Sequence, residues 1–292
     1  MRQFTLLFVF LVFRCVAWSQ EVIPFQLTEN GHIIVQVKLN DEHSGYFIFD
    51  TGAGGHVIGT KFFNKIKGTA DFITVGTGFR HNGDRIDVDG YRIQSISLGS
   101  LKQENPFVGY FPPLDQYGVD GLISAKLYED TPITIDYIKK EIRLENAESM
   151  KKLEKQSTSV PLYFHKMTNR FLDMFIELKL NDSLTCQAEF DTGSGFFRPL
   201  LNPFYMKKMN VDPEAATVKK ATEQDLTAGQ NQTYTTTIPS LSLSGTQDVR
   251  LEHVTVAFKE KLIYDGLIGS ILFKDKVITI DIPQSRMLVH TR

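Results

Sequence analysis

The chain carries two kinds of hydrophobic pattern. Phe4 to Phe13 is an apolar run broken only by Thr5, preceded by Arg2 and followed by Ala17-Trp18-Ser19. This is the pattern of a secretory signal peptide cut near Gln20, and the run is too short to span a bilayer. An uncleaved membrane anchor is the alternative. Arg14 before Cys15 does not suit a lipidation site. Beyond residue 20 the apolar positions alternate. Val35, Val37 and Leu39 alternate with Gln36, Lys38 and Asn40, and Ile176, Leu178 and Leu180 alternate with Glu177, Lys179 and Asn181. A period of two predicts half-buried strands. Ile133–Tyr137 with Glu141–Leu144, and Ile278–Ile282 with Arg286–His290, predict two hairpins. Helical signal is confined to Lys61–Ile66 and Phe204–Met209.

These elements repeat. Asp120-Gly-Leu-Ile-Ser-Ala-Lys-Leu-Tyr-Glu-Asp-Thr-Pro-Ile-Thr-Ile-Asp136 aligns with Asp265-Gly-Leu-Ile-Gly-Ser-Ile-Leu-Phe-Lys-Asp-Lys-Val-Ile-Thr-Ile-Asp281, identical at ten of 17 positions. Phe49-Asp-Thr-Gly52 matches Phe190-Asp-Thr-Gly193, Lys38-Leu-Asn-Asp41 matches Lys179-Leu-Asn-Asp182, and Ile93–Leu98 matches Ile238–Leu243. Four matches in the same order predict two copies of one lobe. The expected division is a signal peptide over 1–20, a lobe over 21–150 and a lobe over 151–292. The polar stretch 145–160 is the expected connection. The expected fold is all-β, two similar closed or partly closed barrel-like lobes with a few short helices.

The 292 residues are 42% hydrophobic and 23% charged, with a formal net charge of −2, so a disordered chain is excluded. No basic stripe offers a footprint for nucleic acid. After the predicted cleavage Cys186 is the one cysteine left, so an intramolecular disulfide is excluded. A bacterial envelope or secreted protein fits this usage better than an animal one. Cys186 reads as a small buried hydrophobe rather than a nucleophile, because no His/Asn pattern accompanies it.

Candidate chemistry lies in the duplicated Asp-Thr-Gly, which follows an apolar strand in each half. A charged Asp there is costly unless it is paired, hydrogen-bonded or functional. Glycine permits close approach of another backbone. Two such loops brought face to face would set Asp50 against Asp191 as a pair sharing one proton. One would act as general base on a trapped water and the other as general acid. A structural role for both Asp residues, and simple strand preference for Thr51 and Thr192, are the alternatives. Asp84, Asp87 and Asp89 before Gly90 faintly suggest a calcium loop, but their spacing fits an exposed hairpin turn better. There is no His-Glu-x-x-His, no Gly-x-Ser-x-Gly and no phosphate-binding loop.

On these motifs the sequence resembles aspartic peptidases of the pepsin and retropepsin type. Its Ile-Thr-Ile-Asp hairpins look like those of bacterial retropepsin-like members. In that family each Asp-Thr-Gly is answered late in the lobe by two apolar residues and a Gly. Leu267-Ile268-Gly269 matches, whereas Leu122-Ile123-Ser124 departs at its third place. Ser124 reads as a harmless small residue rather than as damage. The resemblance implies Asp50 and Asp191 as the catalytic dyad. It implies reciprocal hydrogen bonds between Thr51 and Thr192, close approach at Gly52 and Gly193, and a flap over the cleft within Gly76–Tyr91. Ser194 would donate to Asp191, an aid that Ala53 cannot give Asp50. It further implies a monomeric secreted or periplasmic endopeptidase acting on peptide or protein substrates, without metal or cofactor. A non-catalytic peptide-binding module on the same fold is the alternative. Strand-like alternation by Ile33 leaves no room for a long inhibitory pro-segment, so competence on signal removal is expected.

Overall fold

The computed structural model describes residues 20–167, 171–225, 227 and 229–290. The apolar segment read as a signal peptide lies outside the described residues. The rest is built of strands, as the period-two pattern predicts. Two of its short helices fall at Thr60–Ile66 and Phe204–Lys208, where they were expected.

Three sheets organise the chain. The first surrounds Asp50. In it His43–Asp50 lies between the antiparallel strand Ile33–Leu39 and the parallel strand Gly121–Ser124. The second surrounds Asp191. There Leu184–Phe190 lies between the antiparallel strand Phe171–Leu180 and the parallel strand Gly266–Ile268. In this second sheet the long strand Gln230–Leu243 pairs with both Arg250–Lys259 and Phe171–Leu180, which curls the sheet on itself. The third is a six-stranded sheet that receives three strands from each half. At its centre Ile133–Asp136 runs antiparallel to Val277–Asp281, with Thr134 opposite Thr279 and their hydroxyls 2.6 Å apart. The repeated Ile-Thr-Ile-Asp is thus the segment by which the halves pair. Its isoleucines, Ile133, Ile135, Ile278 and Ile280, are almost fully buried.

The repeated Asn-Asp also has a physical reason. Asn40, Asp41, Asn181 and Asp182 all have positive φ, between 49° and 64°, in the tight turns that join the hairpin strands. Asn and Asp tolerate this left-handed region better than most residues. Asn40 also uses its side-chain oxygen to accept from the backbone N–H groups of Gln94 and Ser95, and Asn181 accepts from Ser240. The turn and the following strand are thereby clamped together in each half.

The stretch 145–160 is more ordered than its polar composition suggests. It contains the helix Ala147–Leu153, started by a capping box in which Asn146 and Ser149 exchange hydrogen bonds. A Glu148–Lys152 pair follows one turn apart, and Met150 is the helix's buried residue. With a single apolar anchor no helical period is visible in the sequence, so the cap is the only available signal.

Candidate active site

Each Asp-Thr-Gly begins where a buried strand ends. Asp50 closes His43–Asp50 and stands in register with Ser124, while the Asp191 N–H donates to the carbonyl of Ile268. The strand cores behind them are aromatic. Phe49 stacks on Tyr128, and Phe190 packs edge-on against Phe273. This packing fixes where the two loops emerge.

The loops then meet. The backbone N–H of Thr51 donates to Thr192 Oγ1 and that of Thr192 to Thr51 Oγ1, both at 3.0 Å. Each hydroxyl passes its own proton across the interface, Thr51 to the carbonyl of Phe190 at 2.5 Å and Thr192 to that of Phe49 at 2.7 Å. Both side chains are fully buried. The glycines are equally reciprocal. A Cβ at Gly52 would lie 2.5 Å from Asp191 Cγ, and one at Gly193 would lie 2.5 Å from Asp50 Cγ. No other residue fits at either position without displacing the opposing carboxyl.

Each carboxyl therefore lies against the glycine of the other loop. Asp50 Oδ1 accepts from the N–H groups of Gly52 and Ala53 at 2.9 and 3.0 Å. Asp191 Oδ1 accepts from the N–H of Ser194 at 3.2 Å, and its Oδ2 accepts from the Ser194 hydroxyl at 2.5 Å. Burial first, and then the charge of Asp191, push the Asp50 carboxyl well above the usual range. The geometry that the Asp-Thr-Gly repeat creates thus favours the protonated form of Asp50.

Ser124 has a specific use. Its Oγ caps the 3-10 turn Ala125–Tyr128 by accepting from the N–H of Lys126 at 3.3 Å. Its own N–H donates to His56 Nδ1 at 3.1 Å. At the corresponding place in the second half, Gly269 lies under the Asp191 loop, and a Cβ there would be 2.3 Å from the carbonyl oxygen of Gly195. The first half can carry a side chain where the second cannot. The departure at Ser124 leaves the dyad intact.

A hairpin, Asp71–Phe79 with Arg85–Arg92, occupies the segment expected to form the flap. Its tip lies at 80–84 and does not stand alone. A second hairpin, Lys219–Gln224 with Gln230–Leu243, comes from the other half to meet it. Asn82 donates to Asp225 at 2.6 Å, the Thr227 N–H donates to Asp84 at 2.6 Å, and the Arg85 N–H donates to the Thr227 hydroxyl at 2.8 Å. Asn231 completes the contact by donating to Asp225 at 2.7 Å. Asp84 serves this junction, whereas Asp87 accepts from Arg85 and Thr77 on the hairpin face. The faint calcium-loop residues therefore have separate jobs.

Several residues at the site were not singled out in the sequence. At His81, on the tip of the first hairpin, and at His32, burial lowers the pKa, against the opposing charge of Asp191. Glu189, two residues before Asp191, is 3% exposed. Burial, and then the nearby Asp191, Asp173 and Asp50, push its carboxyl well up. Burial also raises Asp173 to about 6. A charged residue inside the otherwise apolar run Ala188–Phe190 was the one available signal for Glu189. Its counterpart in the first half is Ile48, which lines a cavity of about 650 Å³ with His32, Tyr46 and Tyr117. Cys186 is buried in its strand, and burial pushes its thiol up to about 12, as its reading as a small hydrophobe requires.

Residues 35–127, which contain Asp50-Thr-Gly52 and Leu122-Ile-Ser124, match the family model for aspartyl protease. Among solved structures, basic 7S globulin from soybean superposes with a TM-score of 0.54 at 9% identity, covering 94% of this chain and 95% of that one. The protein EDGP superposes with a TM-score of 0.52 at 10% identity, covering 93% and 94%. No curated protein matches the chain in sequence. The match over the first half supports the aspartyl protease family, and the chain as a whole has the bilobal, pepsin-like all-β fold.

Proposed function

We propose that this chain is an aspartic endopeptidase, with Asp50 and Asp191 as its dyad in the cleft between the two lobes. The observation that carries the reading is the reciprocal arrangement of the two carboxyls, each fenced by the other loop's glycine. Asp50 holds the proton of the pair. Asp191, oriented by Ser194, is the base. A water between them gives its proton to Asp191 as its oxygen attacks the peptide carbonyl carbon, and Asp50 passes its proton to the carbonyl oxygen. The resulting gem-diol collapses as the C–N bond breaks. The proton on Asp191 goes to the leaving nitrogen, and a hydroxyl proton of the diol returns to Asp50. The steps need only water and the two carboxyls. Thr51 and Thr192 keep the loops at the spacing that one shared proton requires.

The residue pattern of 1–20 supports export to the cell envelope or medium of a bacterium, as the setting for a peptide or protein substrate. A peptide-binding module without turnover is the second reading. It is favoured by the tip-to-tip contact of the hairpins, which ties the two halves together by hydrogen bonds. Incubation of the purified protein with a mixed peptide library, with and without pepstatin, separates the two. The expected result is pepstatin-sensitive cleavage that Asp50→Asn or Asp191→Asn abolishes without loss of fold. Near-normal turnover in either variant would refute the dyad, and peptide binding without cleavage would favour the module.

A further inference from the structure

A pocket of about 220 Å³ is lined by Ser194, which bonds Asp191, and by His81 from the tip of the first hairpin. Leu200, Ala257 and Leu267 give it apolar walls. Two of its polar groups lack partners. Thr233, 3% exposed, has a hydroxyl with no hydrogen-bond partner. Arg198 lines the same pocket, is exposed, and makes no ion pair among the described residues. The other charges on the lining are already satisfied. Lys259 Nζ bonds Glu223 at 2.6 Å and lies 3.6 Å from Asp225.

A buried hydroxyl without a partner is costly, and a ligand that bonds it recovers the loss. A free guanidinium beside it favours a planar anion, which it can hold with two parallel hydrogen bonds. Glu223, tied to Lys259, does not cancel that preference. Because Ser194 bonds Asp191 and also lines the pocket, whatever fills the pocket lies next to the reacting bond.

We propose that this pocket is a subsite for a carboxylate side chain, Glu or Asp, of a residue flanking the scissile bond, with Thr233 and Arg198 as its specificity residues. The assignment rests on the peptidase reading. It sets the substrate class as acidic peptides, a choice that the dyad alone leaves open.

The test uses matched peptides carrying Glu, Gln, Leu or Lys at each position flanking the cleaved bond. At one such position kcat/KM for Glu should exceed that for Gln by about tenfold, the size expected of one hydrogen-bonded charge. Arg198→Glu, on an exposed side chain, should reverse the preference toward Lys. Thr233→Val should lower the Glu peptide and spare the Leu peptide. Cleavage with equal rates for Glu and Gln at every position, or an Arg198→Glu variant with unchanged preference, overturns the subsite and leaves the peptidase reading standing. Calorimetric binding of the same peptides to the Asp50→Asn protein separates the other failure. Tighter binding of the Glu peptide there, with no cleavage by the unmodified protein, retains the subsite and overturns the peptidase. Equal binding of the Glu and Gln peptides overturns the subsite.

Discussion

Thr51 and Thr192 hold each other by matched hydrogen bonds, each backbone N–H donating to the other's hydroxyl oxygen at 3.0 Å. Every donor and acceptor in this knot is supplied by the opposite half of the chain. The contact is local in space and 141 residues long in sequence.

The knot predicts a selective sensitivity. Thr51→Val or Thr192→Val keeps the shape, but leaves a buried N–H and a buried carbonyl without partners. Each variant should lose roughly 2–6 kcal/mol of stability, at about 1–3 kcal/mol per unsatisfied group. The Ser variants should lose much less, because the hydroxyl remains. Urea unfolding midpoints measure this. A Val variant as stable as the parent would show that the knot holds nothing.

Ser124 and Gly269 occupy equivalent places with opposite tolerances. Ser124→Gly removes a cap, worth a few tenths of a kcal/mol when the replacement is Gly. It should leave peptide cleavage near normal. Gly269→Ser must push its Cβ against the Gly195 carbonyl, displacing the loop that carries Asp191. It should abolish cleavage or folding. Equal effects of the two substitutions would contradict the asymmetry.

Ala53 offers Asp50 only its N–H, whereas Ser194 adds a hydroxyl to Asp191. A hydroxyl at position 53 would favour the ionised Asp50 and ease loss of the shared proton. The alkaline limb of kcat/KM in Ala53→Ser should therefore move to lower pH, by up to about one unit. A limb that stays or moves upward would remove the proposed placement of the proton on Asp50.

His56 predicts a stability change with pH. Its Nδ1 accepts from the Ser124 N–H, its Nε2 donates to Gln103, and burial lowers its pKa to about 4. The unfolded chain takes up the proton near 6.5 and the folded chain near 4. This contribution is therefore fully present above 6.5 and declines as pH falls toward 4, by as much as about 3 kcal/mol. Asp173, raised to about 6, acts in the opposite sense, stabilising the fold below its unfolded pKa and losing that effect as pH rises through 6. His56→Gln retains both hydrogen-bonding roles without the titration. Unfolding midpoints for the two proteins between pH 4 and 6.5 should diverge, with the variant less acid-sensitive. Parallel curves would show that His56 does not titrate as its burial requires.

By itself the sequence determined the fold class and the places of the two carboxyls. Strand alternation has a short period, and the duplicated Asp-Thr-Gly and Ile-Thr-Ile-Asp are constraints carried by consecutive residues. Asn40-Asp41 and Asn181-Asp182 were visible as a repeat, because a left-handed turn restricts residue type at the turn itself. Tertiary structure decided what depends on residues far apart in the chain. It alone matched the tip of the first hairpin to Asp225 and Thr227 of the second, and brought His81 to the same pocket as Ser194. It showed that Ser124 has room where Gly269 does not, since that room depends on the path of a loop some 70 residues earlier. It also gathered Arg198 and Thr233 around one pocket, although neither belongs to a motif. Hydrogen bonding, desolvation and steric exclusion act over a few ångströms. Only folding brings such distances to residues the chain keeps apart.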